Sequence, residues 1–105
     1  MYPKLRHEDK YLFATILTQL KNYIRQNRYI ITLHAEEEMN EDELSIFDVE
    51  HAILTGSIIE RQKDAARTEW KYIVRGQSIE GSAVVVVTKI STTGKMAIIT
   101  VFRDE

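Results

Sequence analysis

The spacing of the apolar residues changes once along this chain, near Gly56. Before Gly56 they recur every three or four positions, a period typical of helices with one buried face. After it they alternate or form short continuous runs, which is typical of strands. Because the two patterns occupy separate parts of the chain, the sequence predicts an α+β fold with its helices first and an antiparallel sheet after them.

Three helices are predicted, over about residues 8–26, 34–41 and 46–55. In the first, the apolar residues form a single stripe: Leu12, Phe13, Ile16, Leu17, Leu20 and Ile24. Thr32 stands where the second helix needs an N-cap. Ser45 and Asp48 have the spacing of a capping box at the start of the third helix, and Gly56 is its predicted end.

The rest of the chain predicts a four-stranded antiparallel β-meander. A further edge strand at residues 29–33 is compatible with their β-branched and aromatic side chains. In the second strand of the meander the side chains alternate, so Lys71 and Arg75 are expected on the face opposite the core. Four residues are expected in the core: Trp70, Tyr72, Val85 and Ile98.

With 105 residues, the chain is long enough for one domain with a single core, spanning residues 1–105. It has no cysteine, which excludes disulfides and thiolate metal sites. The first ten residues lack the apolar segment of a signal peptide, and no window is as apolar as a membrane span. We therefore expect a cytoplasmic protein with no membrane partner.

The net charge of −2 conceals an uneven distribution. Residues 1–28 carry six basic and two acidic side chains, residues 34–60 carry nine acidic ones and no Lys or Arg, and residues 61–105 carry eight basic and five acidic ones. A nucleic-acid-binding protein needs a basic surface, because phosphate neutralisation supplies most of its affinity. Such a surface has to come from the first helix and the sheet.

Several segments of the chain together resemble one family. They are Thr32-Leu33-His34-Ala35, Met39, the Ser-capped helix ending in Gly56-Ser57-Ile58-Ile59-Glu60, Trp70-Lys71-Tyr72-Ile73-Val74-Arg75-Gly76, Val84–Val87 and Ile98–Phe102. The pattern resembles an uncharacterised bacterial family, domain of unknown function 4258. The resemblance covers roughly residues 28–103 as a core and leaves residues 8–27 as an N-terminal helical extension.

This resemblance implies a compact domain similar to the RelE and barnase-like toxin ribonucleases. The implied function is a toxin-like, metal-independent ribonuclease or RNA-binding domain, with RNA and a cognate antitoxin-like protein as partners and no cofactor. Many relatives carry Arg where this chain has Glu38 and Asp42. Two candidate phosphate ligands are thus replaced by carboxylates, which weakens the case for cleavage.

The candidate catalytic residues are His34, Lys71 and Arg75. His34 is the leading one, because an imidazole is the usual general acid or base near neutral pH, whereas Lys71 and Arg75 have the chemistry to hold a phosphate. Three residues extend this set to substrate binding if their strands are neighbours: Glu60, Thr100 and Arg103. The structural alternatives are a histidine that packs at a helix start and a solvated cationic face. No spacing of His, Asp and Glu indicates a metal site.

An alternative function belongs to a different class. The chain is also compatible with a non-catalytic protein-interaction module, including a homodimer, in which the first helix and the acidic block of residues 36–43 meet the partner. If the protein is an enzyme, we expect an endoribonuclease. The feature that discriminates the two is whether His34 and the strand cations converge on one cleft.

Overall fold

The computed structural model describes residues 7–63 and 69–104. It contains three helices: α1 (His7–Arg25), α2 (Leu33–Glu41) and α3 (Ile46–Thr55). It contains five strands: β1 (Tyr29–Ile31), β2 (Ser57–Lys63), β3 (Trp70–Gln77), β4 (Ala83–Ile90) and β5 (Met96–Arg103). The fold is α+β, and each helix begins and ends within one residue of its predicted bounds.

The sheet differs from the prediction, because it is five-stranded and mixed rather than a four-stranded antiparallel meander. Its strand order is β1-β5-β4-β3-β2. β2 to β5 pair antiparallel with their neighbours in sequence, whereas β1 pairs parallel with β5. The prediction is wrong because the composition of a three-residue segment indicates a strand but not its partner, which here lies far along the chain.

The helices pack on one face of the sheet, where they enclose the core. α3 lies against β3 and β4, α2 against β5, and α1 against α3 and β2. Tyr72 and Ile98 are buried there, and Trp70 is half-buried against the same core, as predicted. The core includes these fully buried side chains: Leu20, Val49, Ile53, Val74, Val84, Val86, Met96, Ile98 and Val101.

The opposite side of the sheet, which no described helix covers, is called the open face below. Val85 is buried, but it pairs directly with Arg75 and therefore lies on this face. Val85 is thus buried, as predicted, but on the face opposite Trp70. The cross-strand register assigns these residues to the open face: Glu60, Lys71, Ile73, Arg75, Val85, Val87, Lys89, Ala97, Thr100 and Phe102.

The predicted helix caps are confirmed. The Thr32 hydroxyl accepts the backbone N–H of Ala35, and Ser45 and Asp48 form a reciprocal capping box. The backbone N–H of Ser45 holds the pKa of the Asp48 carboxyl below its usual range, and a second bond from the Ile79 N–H acts in the same direction. Asp48 thus joins the start of α3 to the turn that follows β3.

Gly76 allows α3 to approach the backbone of β3 closely. A Cβ atom at position 76 would lie 1.8 Å from the carbonyl oxygen of Ala52, which is backbone and cannot move aside. Beside this contact, the Thr55 hydroxyl donates to the His51 carbonyl and accepts the N–H of Gln77. The end of α3 is therefore joined to the end of β3 by backbone contact and by hydrogen bonds.

Gly76→Ala should lower the free energy of unfolding by about 3 kcal/mol or more, because the new methyl group has to displace α3 from the sheet. Urea denaturation of the purified variant measures the loss. Gly81→Ala is the matched control: a Cβ there meets nothing within 4 Å, and only the positive φ of 93° opposes it. Equal losses in the two variants would contradict the close approach.

Candidate functional site

His34 lies in the first turn of α2, with 67% of its side chain exposed. Its Nε2 is 3.3 Å from Oε1 of Glu38, one helical turn later. A carboxylate at this distance from an imidazole orients the ring. This is the one ion pair of His34 within the part of the chain that the structure describes.

Glu38 and Asp42 also bind the backbone of β5. The Val101 N–H donates to Glu38 Oε1 at 3.1 Å, and the Arg103 N–H donates to Asp42 Oδ2 at 2.9 Å. Four residues of helix rise by about 6 Å, and two residues of strand span about 6.7 Å. Because these spacings match, α2 replaces a neighbouring strand along the half of β5 that lies beyond β1.

Thr32 completes this edge between β1 and α2. Its backbone N–H donates to the Ile98 carbonyl at 3.0 Å, and its hydroxyl donates to the Ile99 carbonyl at 3.2 Å. The same hydroxyl caps α2 through the Ala35 N–H. The acidic block therefore has a structural role. Two of its carboxylates accept hydrogen bonds from β5 that the carbonyl groups of a neighbouring strand would otherwise accept.

Arg103 has a structural environment as well. Its Nε donates to the Asp42 carbonyl oxygen at 2.9 Å, and its Nη1 donates to Oγ of Ser82 at 2.5 Å. These bonds join the end of β5 to the end of α2 and to the turn before β4. The guanidinium that the sequence offered as a substrate ligand is thus engaged within the fold.

Lys71, Arg75, Glu60 and Thr100 all lie on the open face, where Glu60 is diagonal to both cations and Thr100 is two strands away from them. Arg75 Nε lies 2.7 Å from Asp104 Oδ2, and Glu60 accepts a hydrogen bond from the Gln62 side chain at 3.3 Å. Glu60 and Thr100 stand at opposite ends of one cross-strand row, which is about 14 Å long at the usual strand spacing.

The structure brings His34 together with Glu38 and not with the strand cations. α2 lies beside β5, and β4 separates β5 from β3, which carries Lys71 and Arg75. β3 and β5 alone are about 10 Å apart at the usual strand spacing. The imidazole and the two cations therefore do not face one cleft across the open face.

Sequence reasoning missed a cluster of cations at one end of the sheet, called the basic end below. It comprises Arg28, Arg61, Lys63, Lys71, Lys89 and Lys95, which lie at or next to the strand ends where β2 finishes and β3 begins. The sequence could have indicated this cluster, because these residues lie near the predicted strand ends. In an antiparallel meander, the end of one strand and the start of the next lie at the same end of the sheet. Two carboxylates described at this end are already paired: Glu69 with Lys89 and Glu50 with Tyr29.

Lys71 and Lys89 are direct cross-strand partners on the open face. Like charges directly opposite each other destabilise a sheet. Glu69 Oε1 lies 3.4 Å from Lys89 Nζ and relieves part of this repulsion. On the other face, Arg61 lies 4.0 Å and Lys63 lies 5.8 Å from the centre of the Trp70 ring, a cation–π arrangement. The basic end therefore presents positive charge on both faces.

Tyr29 holds Glu50 beneath this end. Its hydroxyl donates to Glu50 Oε2 at 2.5 Å. Burial raises the pKa of Tyr29 to about 12, and the Glu50 carboxylate adds to the rise. Tyr29 is thus a protonated donor at neutral pH, and it links the start of β1 to Glu50 on α3.

The described residues contain neither a candidate metal site nor a candidate membrane-spanning helix. No group of three or more His, Asp or Glu side chains is placed to hold a metal ion. No helix in the same ranges is long and apolar enough to cross a membrane.

Glu38→Ala should lower the free energy of unfolding by about 1–3 kcal/mol, because the Val101 N–H loses its acceptor in a partly buried position. Glu38→Gln should lose less, since its amide oxygen still accepts. Glu37→Ala, an exposed neighbour on the same helix, should change stability by less than about 0.5 kcal/mol. Chemical denaturation compares the three; a Glu38→Ala loss no larger than that of Glu37→Ala would contradict the assigned acceptor role.

Comparison with protein-family models finds a match. The model of DUF4258, a domain of unknown function, matches residues 31–103, which is more than half of the chain. No curated protein and no solved structure matches. The matched segment begins at the end of β1 and ends with β5, so it contains the α2–β5 edge and all but one of the basic-end cations. The chain belongs to the DUF4258 family.

Proposed function

We propose that this domain binds RNA through the basic end, by contacts to the phosphate backbone. The observation that carries the proposal is the direct pairing of Lys71 with Lys89 within a cluster of six Lys and Arg residues. Lys89 is already paired with Glu69, so the support comes from the local excess of cations around the two lysines, which suits an anionic ligand. Phosphates are ligands of that kind, and Lys and Arg are the side chains that bind them.

The acidic block does not oppose this proposal. α2 lies along the edge of β5, and its hydrogen bonds progress from Val101 to Arg103, away from the basic end. Two of its carboxylates are engaged there with backbone donors. Acidic and basic side chains are therefore separated along the sheet, so a polyanion that meets the basic end is kept away from the carboxylates of α2.

Binding is better supported than cleavage. The resemblance to RelE-like toxin ribonucleases suggests an endoribonuclease with His34 as general acid or base and Lys71 and Arg75 as phosphate ligands. His34 lies beside β5, however, and Arg75 is paired with Asp104. The feature in favour of cleavage is the exposed His34–Glu38 pair, since a carboxylate-oriented imidazole is a common acid–base unit.

Charge reversal at Lys71 tests the binding proposal. Lys71→Glu should weaken RNA affinity at least about tenfold in low salt and leave stability unchanged or raise it by up to about 1 kcal/mol, because it places opposite charges across from each other. Fluorescence anisotropy with a labelled RNA and urea denaturation measure the two effects.

Lys10→Glu is the matched control. It makes the same change in net charge, but Lys10 lies beside Ser57, at the other end of the sheet. Its affinity should stay within about twofold of the wild type, allowing for a long-range electrostatic change. Equal effects of the two reversals would mean that only net charge matters. Absence of RNA binding by the wild type would favour the protein-interaction module instead.

Cleavage is tested separately with His34→Gln. If the domain is a metal-independent ribonuclease, wild type incubated with RNA in chelator releases products, and His34→Gln lowers the rate by about 10²- to 10⁴-fold without loss of RNA affinity. The variant removes a side chain that is largely exposed, so folding should be intact. Cleavage by both proteins at equal rates would exclude His34 as the acid or base.

A further inference from the structure

A small groove lies at the basic end, between β1 and the turn that joins β4 to β5; it is called the β1 groove below. Its volume is about 160 Å³, and it is lined by Ile30, Ser91, Thr93, Lys95, Met96 and Ala97. This volume is below that of sites for drug-sized ligands. The groove therefore has room for one small planar group rather than for a larger ligand.

The floor of the β1 groove is apolar. Ile30 and Ala97 are partners in the parallel pairing of β1 with β5. Ile30 is 55% exposed, which is unusual for an isoleucine in a strand. An exposed aliphatic side chain beside a small residue offers an apolar surface against which the face of a nucleobase can pack.

The rim of the groove is cationic. Lys95 lines it directly, and the Arg28 guanidinium lies over Gly94, where a Cβ atom would be only 3.0 Å from Arg28 Nη2. Gly94 has a φ of 80°, a conformation that favours glycine. Gly94 thus forms the turn and, because it has no side chain, leaves space for the Arg28 guanidinium.

Two hydroxyl groups give the rim a defined shape. Ser91 Oγ and Thr93 Oγ1 are 2.8 Å apart and share a hydrogen bond. Ser91 Oγ also accepts the backbone N–H of Lys95 at 3.3 Å. Each hydroxyl oxygen has two lone pairs, so Thr93 keeps acceptor capacity for a donor on a ligand. An apolar floor, cations and a hydroxyl acceptor together are complementary to a nucleotide.

We propose that the β1 groove binds one unpaired nucleotide of single-stranded RNA, with the base on Ile30 and Ala97 and its phosphate between Arg28 and Lys95. This inference rests on the proposed RNA binding and deepens it by naming the form of RNA. A base inside a duplex is stacked on both faces and cannot enter the groove. The basic end then contacts the phosphates of the flanking nucleotides.

Ile30→Ser tests the stacking contact. With an unstructured single-stranded RNA hexamer, its affinity should fall at least about fivefold, while the dependence of affinity on salt stays that of the wild type, because no charge is removed. Leu33→Ser is the matched control: Leu33 is 72% exposed but does not line the groove, so its affinity should be unchanged.

Lys95→Gln tests the phosphate contact independently of Ile30. The slope of log affinity against log salt should become less steep by about 0.7, the value for one phosphate contact on a single strand. The same RNA annealed to its complement should bind more weakly than the single strand and be insensitive to Ile30→Ser. Circular dichroism of each variant verifies that the fold is retained.

The outcomes separate this inference from the proposed function. If wild type binds RNA but Ile30→Ser and Leu33→Ser behave alike, the β1 groove is not the nucleotide site, and RNA binding by the basic end stands. If duplex RNA binds as well as single-stranded RNA, the inference is also overturned. If wild type binds neither RNA, the proposed function itself fails, and the groove proposal fails with it.

Discussion

The half of β5 that extends beyond β1 needs acceptors for its backbone N–H groups, and the rest of the structure depends on how they are supplied. β1 has three residues and β5 has eight, so β1 pairs with only the first part of β5. α2 supplies the missing acceptors with Glu38 and Asp42. Because an unpaired backbone donor is costly when it is buried, these bonds determine where α2 lies along the sheet.

This arrangement explains why Glu38 and Asp42 of α2 are acidic. A cationic side chain at position 38 or 42 could not accept a backbone N–H, so this role depends on the carboxylates of Glu38 and Asp42. The carboxylates of α2 lie along β5, and Lys and Arg gather at the end where β2 meets β3. The separation of charge in the sequence becomes a separation in space, so one end of the sheet is cationic although the net charge is −2.

The helix caps could be predicted from the sequence, whereas the pairing between strands that lie far apart along the chain could not. Ser45 and Thr32 act as caps because capping depends on residues three positions apart. The parallel partner of β1 and the face of Val85 depend on registers between distant segments, which periodicity does not encode. Arg103 was a candidate ligand by residue type alone, and only the fold shows that Asp42 and Ser82 engage it.

Amide hydrogen exchange of the wild-type protein, measured by NMR at single residues, tests the edge assignment most directly. If α2 replaces a strand, the Val101 and Arg103 amides exchange as slowly as amides in the interior of the sheet, such as Val86, because their opening requires α2 to detach. Exchange of Val101 and Arg103 as fast as that of an exposed turn residue such as Glu80 would show that this edge is open, and would contradict the account of α2 given above.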